Sequence, residues 1–345
     1  MNKVYIQSAA HISAQKPLSE EWIDSPVFYN EDNVKAMDLN YKEYLAPNVA
    51  RRMGKLLKRA LVCARIAMER ADIEMPDAII TATGLGCIEN TEFFLDAMIH
   101  EGEKLLNPTP FMQSTHNTIG SSIALDIKCH GYNTHYSQKY VSFDCGLQDA
   151  IMQLQNENTH TVLLNAHDES SSIFDSILKH LDCWHFSNGG FKGETAISMV
   201  LADQPTSKTL CCVEDMLMCY KPSTSNLQAK LQKMLERNQL NINDIDAVFV
   251  GTNENKKNDS IYISNAKTLF SNLPIAHYKH LFGEHFTMSG IGCYVAAICL
   301  QQERMPEHLF LKKGKTMEKI KRVLFYNHSE NKEHTLVLLS KAMQG

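Results

Sequence analysis

Apolar residues recur along this chain on two spacings, and the spacing switches repeatedly. Residues 48–73 carry Met53, Leu56, Leu57, Ala60, Leu61, Ala64 and Ala67 on one face at helical spacing, which predicts one amphipathic helix of roughly seven turns. Short unbroken apolar runs at 77–83, 159–165 and 197–202 read as buried strands, as does the stretch that opens the chain. Residues 90–100 and 118–128 have helical spacing, the second stopping before Gly131; 133–137 can run extended, and 143–154 is helical again. After a polar break at 202–209 the elements begin anew: strand 210–217, helix 224–237, strand 245–250, helix 259–269, a short strand near 274, helix 288–302, and strands 322–327 and 334–340. Strands alternating with helices in two similar runs predict an α/β protein with two βαβ-rich halves, 1–205 and 206–345, packed as one compact unit.

Composition removes several function classes. The 345 residues are 44% hydrophobic and 21% charged, values of an ordinary globular protein, and the net charge of −5 argues against general nucleic-acid binding. The N-terminus lacks a cationic region followed by an apolar one, and no run approaches the length of a membrane span, so a cytoplasmic, membrane-free protein is expected. Ten cysteines show no framework spacing and read as reduced core thiols. Cys183 and His185 have no second Cys/His pair at ligand spacing, which makes them a packed loop, with no metal expected. Gly84-Leu85-Gly86 follows a strand, but the third glycine of a dinucleotide fingerprint would fall on Glu89, so tight backbone packing is the better use of the glycines and no cofactor is expected.

The stretch from 107 to 150 carries the chemistry. A strand feeding a helix through a tight loop sets the loop residue at a helix N-terminus, where free N–H groups and the helix dipole stabilise a thiolate or a developing anion. This stretch resembles the nucleophile motif of the β-ketoacyl-acyl-carrier-protein synthases of the thiolase fold. Gly131, Ser137, Ser142 and Ala150 stand where that motif has its glycine, its Ser/Thr, the serine after the nucleophile and a small helix residue. The nucleophilic cysteine position falls on Tyr140, whose phenol is a poor nucleophile at neutral pH. Two further points of similarity are Arg51-Arg52-Met53 before an alanine-rich helix and Gly193-Glu194-Thr195-Ala196 before a strand.

The resemblance also places the remaining catalytic elements. The family's first histidine falls on Gly251, within residues 248–259, and its second on Glu284, within residues 279–290; only a one-residue slip brings His285 there. The glycine-rich turn is matched by residues 327–333, which lack its glycines. The implied fold is the layered α-β-α-β-α arrangement. The implied role is that of chain length factors, the inactive partners of ketosynthases in type II polyketide, aryl-polyene and flexirubin-like pathways: no catalytic residues, a heterodimer with an active ketosynthase, contacts to an acyl carrier protein, and a wall of the acyl tunnel. Homodimerisation is the alternative assembly. On this reading Arg51, Arg52, Lys55 and Arg59 dock the carrier, and Phe111, Met112, His116 and Asn117 line the interface and tunnel. Two enzymatic alternatives stand beside it. One is an active synthase or acyltransferase with Cys145 as relocated nucleophile and His285 or His116 as base. The other is a malonyl decarboxylase, for which Gln138 lies two residues before the required position.

Overall fold

The computed structural model describes residues 3–104, 106–181, 190–314 and 319–342; Cys183 and His185 lie outside the described residues. Strands β1 (Val4–Ile12), β2 (Ala78–Ala82), β3 (Tyr132–Tyr136), β4 (Thr161–Asp168) and β5 (Thr195–Ala202) pair in the order β3-β2-β4-β5-β1. Here β2 runs parallel to β3 and β4, while β5 is antiparallel to β4 and β1. Strands β6 (Cys211–Tyr220), β7 (Ala247–Val250), β8 (Ile275–His277), β10 (Arg322–Ser329) and β11 (Glu333–Ser340) repeat that order as β8-β7-β10-β11-β6, with the same directions. A short strand, β9 (Phe310–Lys312), adds to the β8 edge. The two arrays join where Val4, Tyr5 and Ile6 pair antiparallel with Val213, Cys212 and Cys211.

Helices complete five layers. The outer layers are α2 (Lys55–Ala71) with α5 (Thr118–Ile127) on the first half, and α8 (Thr224–Arg237) with α9 (Lys256–Leu269) on the second; each has its own apolar core against its sheet. Between the sheets lie α6 (Ser142–Gln153) and α11 (Met288–Gln301), in a third core that draws side chains from both halves. Every residue of α11 from Met288 to Leu300 is buried. Its sequence, apolar on all sides, fits that place, since a helix without a polar face has no side to present to water. The thiolase-like layering expected from the resemblance is the fold observed.

The seven-turn helix expected at 48–73 is not one helix. A single turn, α1 (Pro47–Ala50), is followed by a break, and α2 begins only at Lys55 because Gly54 takes an extended conformation with ψ of 168°. This break also changes the fate of the cations. Arg51, Arg52 and Lys55 are exposed, but Arg59 is turned inward, 1% exposed, with Nε 2.7 Å from Asp38 and Nη1 2.8 Å from Glu194. Arg59 is therefore a structural ion-pair residue and not part of a carrier-docking face. Glu194 is buried as well. Burial opposes its charge, yet Arg59, Lys35 and the Ser170 N–H hold its carboxyl down to about 2, so the pair fastens the irregular segment before α1 to the start of β5.

Helices α4 (Pro108–Ser114), α7 (Ser172–His180) and α10 (Lys279–Phe282) were not predicted by periodicity, whereas α3 (Ile88–Glu101) falls within two residues of expectation. Since α11 is packed on all sides, Ile298→Ala should leave a cavity that the layers cannot close, at a cost of about 2–5 kcal/mol. A urea midpoint lowered with an unchanged slope would register it.

Candidate functional site

After β3 the chain turns sharply at Lys139, a non-glycine residue with φ of +51°, passes through one 3-10 turn (Lys139–Val141) and enters α6. Ser142 fixes this elbow: its hydroxyl donates to the Lys139 carbonyl at 2.7 Å and accepts from the Gln138 N–H at 2.8 Å. Holding a lysine in the left-handed region costs on the order of 1–2 kcal/mol, so the surrounding contacts impose the turn. Tyr140 stands on the elbow, half-buried, its ring 4.9 Å from that of Phe286. Its carbonyl accepts from Asn327 Nδ2 at 2.9 Å, which ties the elbow to β10 in the other half.

Around the elbow the second half presents a packed polar network. A Cβ on Gly251 would sit 2.7 Å from the Tyr262 hydroxyl and 3.0 Å from Lys279 Cε, so no side chain fits there without displacing one of them. Tyr262 is buried, donates to Asn327 Oδ1 at 3.2 Å, and accepts the His328 N–H at 3.3 Å. Glu284 is buried too, with Oε2 2.7 Å from Lys279 Nζ and accepting from the Asn253 amide. His285 does not take its place. It faces the first half, with Nδ1 3.2 Å from the Thr287 hydroxyl and 3.8 Å from Asp168 Oδ2.

The relocated-nucleophile arrangement is not assembled. Cys145 is the fourth residue of α6; burial first, then Asp144 and Glu333, push its thiol up to about 11, away from the thiolate. Among the described residues it shares no hydrogen bond with His116 or His285. His116 lies against Gly86, and Asn117 is exposed. Phe111 and Met112 are 55% and 67% exposed on α4, with the Phe111 ring 5.1 Å from that of Phe94 of α3 and tilted by 43°. Where the family motif has its glycine-rich turn, Glu330 and Asn331 both adopt positive φ in the three-residue loop, 330–332, that links β10 to β11, with the Lys332 N–H donating to the Ser329 carbonyl.

Several members of the site escaped the sequence reading. Asp168 accepts from the Gly84 and Leu85 N–H groups and from the Thr287 N–H, joining the loop after β2 to the start of α11. A Cβ on Gly84 would overlap Phe286 at 2.2 Å, which gives that glycine the packing role expected of it. Asp144, in the first turn of α6, is fully enclosed; burial pushes its carboxyl up to about 6 against the opposing pull of Ser289, Thr335 and Asn327. The visible signal was a carboxylate three residues before Leu147, on the apolar face of α6. No group of three or more His, Cys, Asp or Glu among the described residues could hold a metal ion, and no helix there is long and apolar enough to cross a membrane.

Duplicated halves that bring one helix start each to a shared elbow place this protein in the thiolase-like fold class. Its sequence matches the family described as "Beta-ketoacyl synthase, N-terminal domain" over residues 20–254, and the chain belongs to the β-ketoacyl synthase family. No curated protein matches it. Among solved structures it is similar to a β-ketoacyl synthase from Burkholderia phymatum STM815 and to the ishigamide ketosynthase/chain length factor. In both cases the TM-score is 0.79 at 14% identity, over 99% of this chain and 100% of the other. It is also similar to the ketosynthase ApeO in complex with its chain length factor ApeC from Xenorhabdus doucetiae, with a TM-score of 0.76 at 12% identity over 99% and 98% of the chains. At these identities the likeness is one of fold.

Two outcomes follow from the geometry. Because the Asp144 carboxyl is raised by folding, the neutral form stabilises the fold at low pH, and that contribution is lost as pH rises through about 6. Asp144→Asn should therefore raise stability at pH 7.5, on the order of 2 kcal/mol, with the gap narrowing as pH falls below about 6 and closing only by about pH 4, near the unfolded carboxyl's own value; equal shifts at both ends of that range would show the carboxyl does not titrate there. Gly251→Ala should cost about 1–3 kcal/mol through overlap with Tyr262, and distinctly less in a Tyr262→Phe background, a coupling that a double-mutant cycle measures.

Proposed function

We propose that this chain is a non-catalytic ketosynthase-fold subunit of the chain-length-factor kind, which pairs with an active ketosynthase and forms part of its acyl tunnel. The observation that carries this reading is the crowding at Gly251. The space in which a catalytic histidine would have to stand is filled by Tyr262 and Lys279, and the neighbouring second position holds Glu284 in an ion pair. The elbow beside it offers a phenol in place of a thiol, while its shape is kept by Ser142. Condensation needs an activated nucleophile and groups that stabilise the developing charge, and decarboxylation needs the second of these. Support for pairing comes from Phe111 and Met112, large apolar side chains left in water on α4, a position suited to a partner's surface. Arg51, Arg52 and Lys55 remain the residues proposed to steer an acidic carrier protein, with selectivity and rate as their main effect. The cytoplasm is the proposed compartment.

The test is co-expression with an intact ketosynthase from the same genome, followed by product analysis. A heterodimer should form, and given acyl-carrier thioesters only the partner should become acylated, with no adduct on Tyr140 or Cys145 by intact mass. Phe111→Ala or Met112→Ala in that complex should lengthen the product by about one or two two-carbon units while changing stability of the isolated chain by less than about 0.5 kcal/mol, since both side chains are exposed. An unchanged product profile removes the tunnel assignment, and a stable acyl adduct on this chain would overturn the non-catalytic reading.

A further inference from the structure

Helix α7 lies on the body without entering its core. None of its residues is buried; Phe174, Asp175 and Leu178 are half-covered, while Ile173 and Ile177 face water. Polar contacts from three separate places hold it down. Glu92 of α3 accepts the Ser171 hydroxyl and, at 3.0 Å, the Phe174 N–H. Asn33, in the irregular segment before α1, donates to Asp175. Lys192 forms an ion pair with Asp175, and its ammonium also stands 5.5 Å from the centre of the Phe174 ring, within range of a cation–π contact.

The base of these contacts is fixed. Lys192 is buried, its N–H donates to the Asp32 carbonyl at 2.9 Å, its carbonyl accepts from the Val34 N–H at 2.8 Å, and its backbone bridges on the other side to Glu284. The member free to move is therefore α7. Lifting it uncovers the remaining parts of Phe174 and Leu178 and hands its polar partners to water, a small cost beside the loss of a helix as enclosed as α11. What it covers is the elbow. A row of three rings runs inward from α7, with Phe174 6.5 Å from Phe286 and Phe286 4.9 Å from Tyr140, and Phe286 also fills the space against Gly84.

We propose that α7 is a lid over the elbow, latched by Lys192, which opens as a unit while the layers beneath stay folded, so that the latch sets access to Tyr140. Elements with few buried apolar contacts are those that open locally, well before the whole chain unfolds, and a lid of this kind admits or excludes molecules larger than water. The device acts in the same way on an active or an inactive elbow.

The experiment follows amide hydrogen exchange and the acetylation of tyrosines by N-acetylimidazole, both read by mass spectrometry on the full chain. In the wild type, α7 amides should exchange through local openings, faster than those of α11, and Tyr140 should be acetylated slowly beside Tyr220, which is 64% exposed. Lys192→Met keeps the apolar stem and removes the charge, while Asp175→Asn acts from the α7 side alone; each should speed α7 exchange at least about tenfold with α11 unchanged. Phe174→Ala and Lys192→Met should each speed acetylation of Tyr140 about threefold or more, with Tyr220 unaffected and the buried Tyr262 unreactive. Protection of α7 equal to that of α11 overturns the lid, since the helix then opens only on global unfolding. Unchanged α7 exchange in both Lys192→Met and Asp175→Asn overturns the latch. Faster α7 exchange with no gain in Tyr140 acetylation overturns the assignment of the elbow as what it covers.

Discussion

Three residue pairs decide the geometry of this protein. Where Val4, Tyr5 and Ile6 meet Val213, Cys212 and Cys211, two sheets of identical strand order become one, and beyond that short seam each sheet turns a face to the other. The middle of the enclosed space leaves no side open to water, which is why α11, at its centre, is apolar around its whole circumference. The same seam relates the halves by a pseudo-two-fold, so that the ends of β3 and β10, far apart in sequence, come together at the elbow. Asn327 spanning from β10 to the Tyr140 carbonyl is a direct result of that arrangement. The site is thus a property of the junction, belonging to neither half alone.

Much of this was legible in the residue order. Continuous apolar runs marked strands such as β5 and β11, and helical spacing located α8 and α11 almost to the residue, because buried elements leave strong periodic signals. The fold class followed from the alternation together with the spacing of Gly131, Ser137 and Ser142. What failed did so for local reasons. Gly54 interrupted a helix whose apolar period continued across the break, and Arg59 read as one more solvated cation because periodicity is blind to Glu194, 135 positions later, reaching it through space. Helix α7 went unread although Ile173, Ile177 and Leu181 recur at helical spacing after the Ser171 cap, because nine residues hold too few turns to set it apart from a loop.

The site was legible in outline and illegible in its interior. Motif spacing identified Tyr140, Gly251 and Glu284 as positions of interest, but not that Tyr262, Lys279, Asn253 and Asn327 would close over them as one hydrogen-bonded cluster. Nor could spacing show that Phe286 lies against both Gly84 and the elbow. Such residues come from four separate elements, and only the folded junction makes them neighbours. Buried polar clusters of this kind are costly when partly satisfied and rigid when complete, which accounts for an elbow that keeps a strained lysine in place without an evident nucleophile to present.

The filled space beside Gly251 also constrains which sequences the junction can accept. An empty pocket accepts a new side chain in one step, whereas this one is occupied by a tyrosine and a lysine that have other partners to satisfy. Any side chain arriving at position 251 is penalised until Tyr262 shrinks, and a smaller residue at 262 abandons Asn327 unless that amide changes as well. Each intermediate sequence is less stable than its parent by the separate costs of overlap and of unpaired buried groups. The cluster therefore couples position 251 to three other residues, and a single substitution there is penalised whichever side chain it brings.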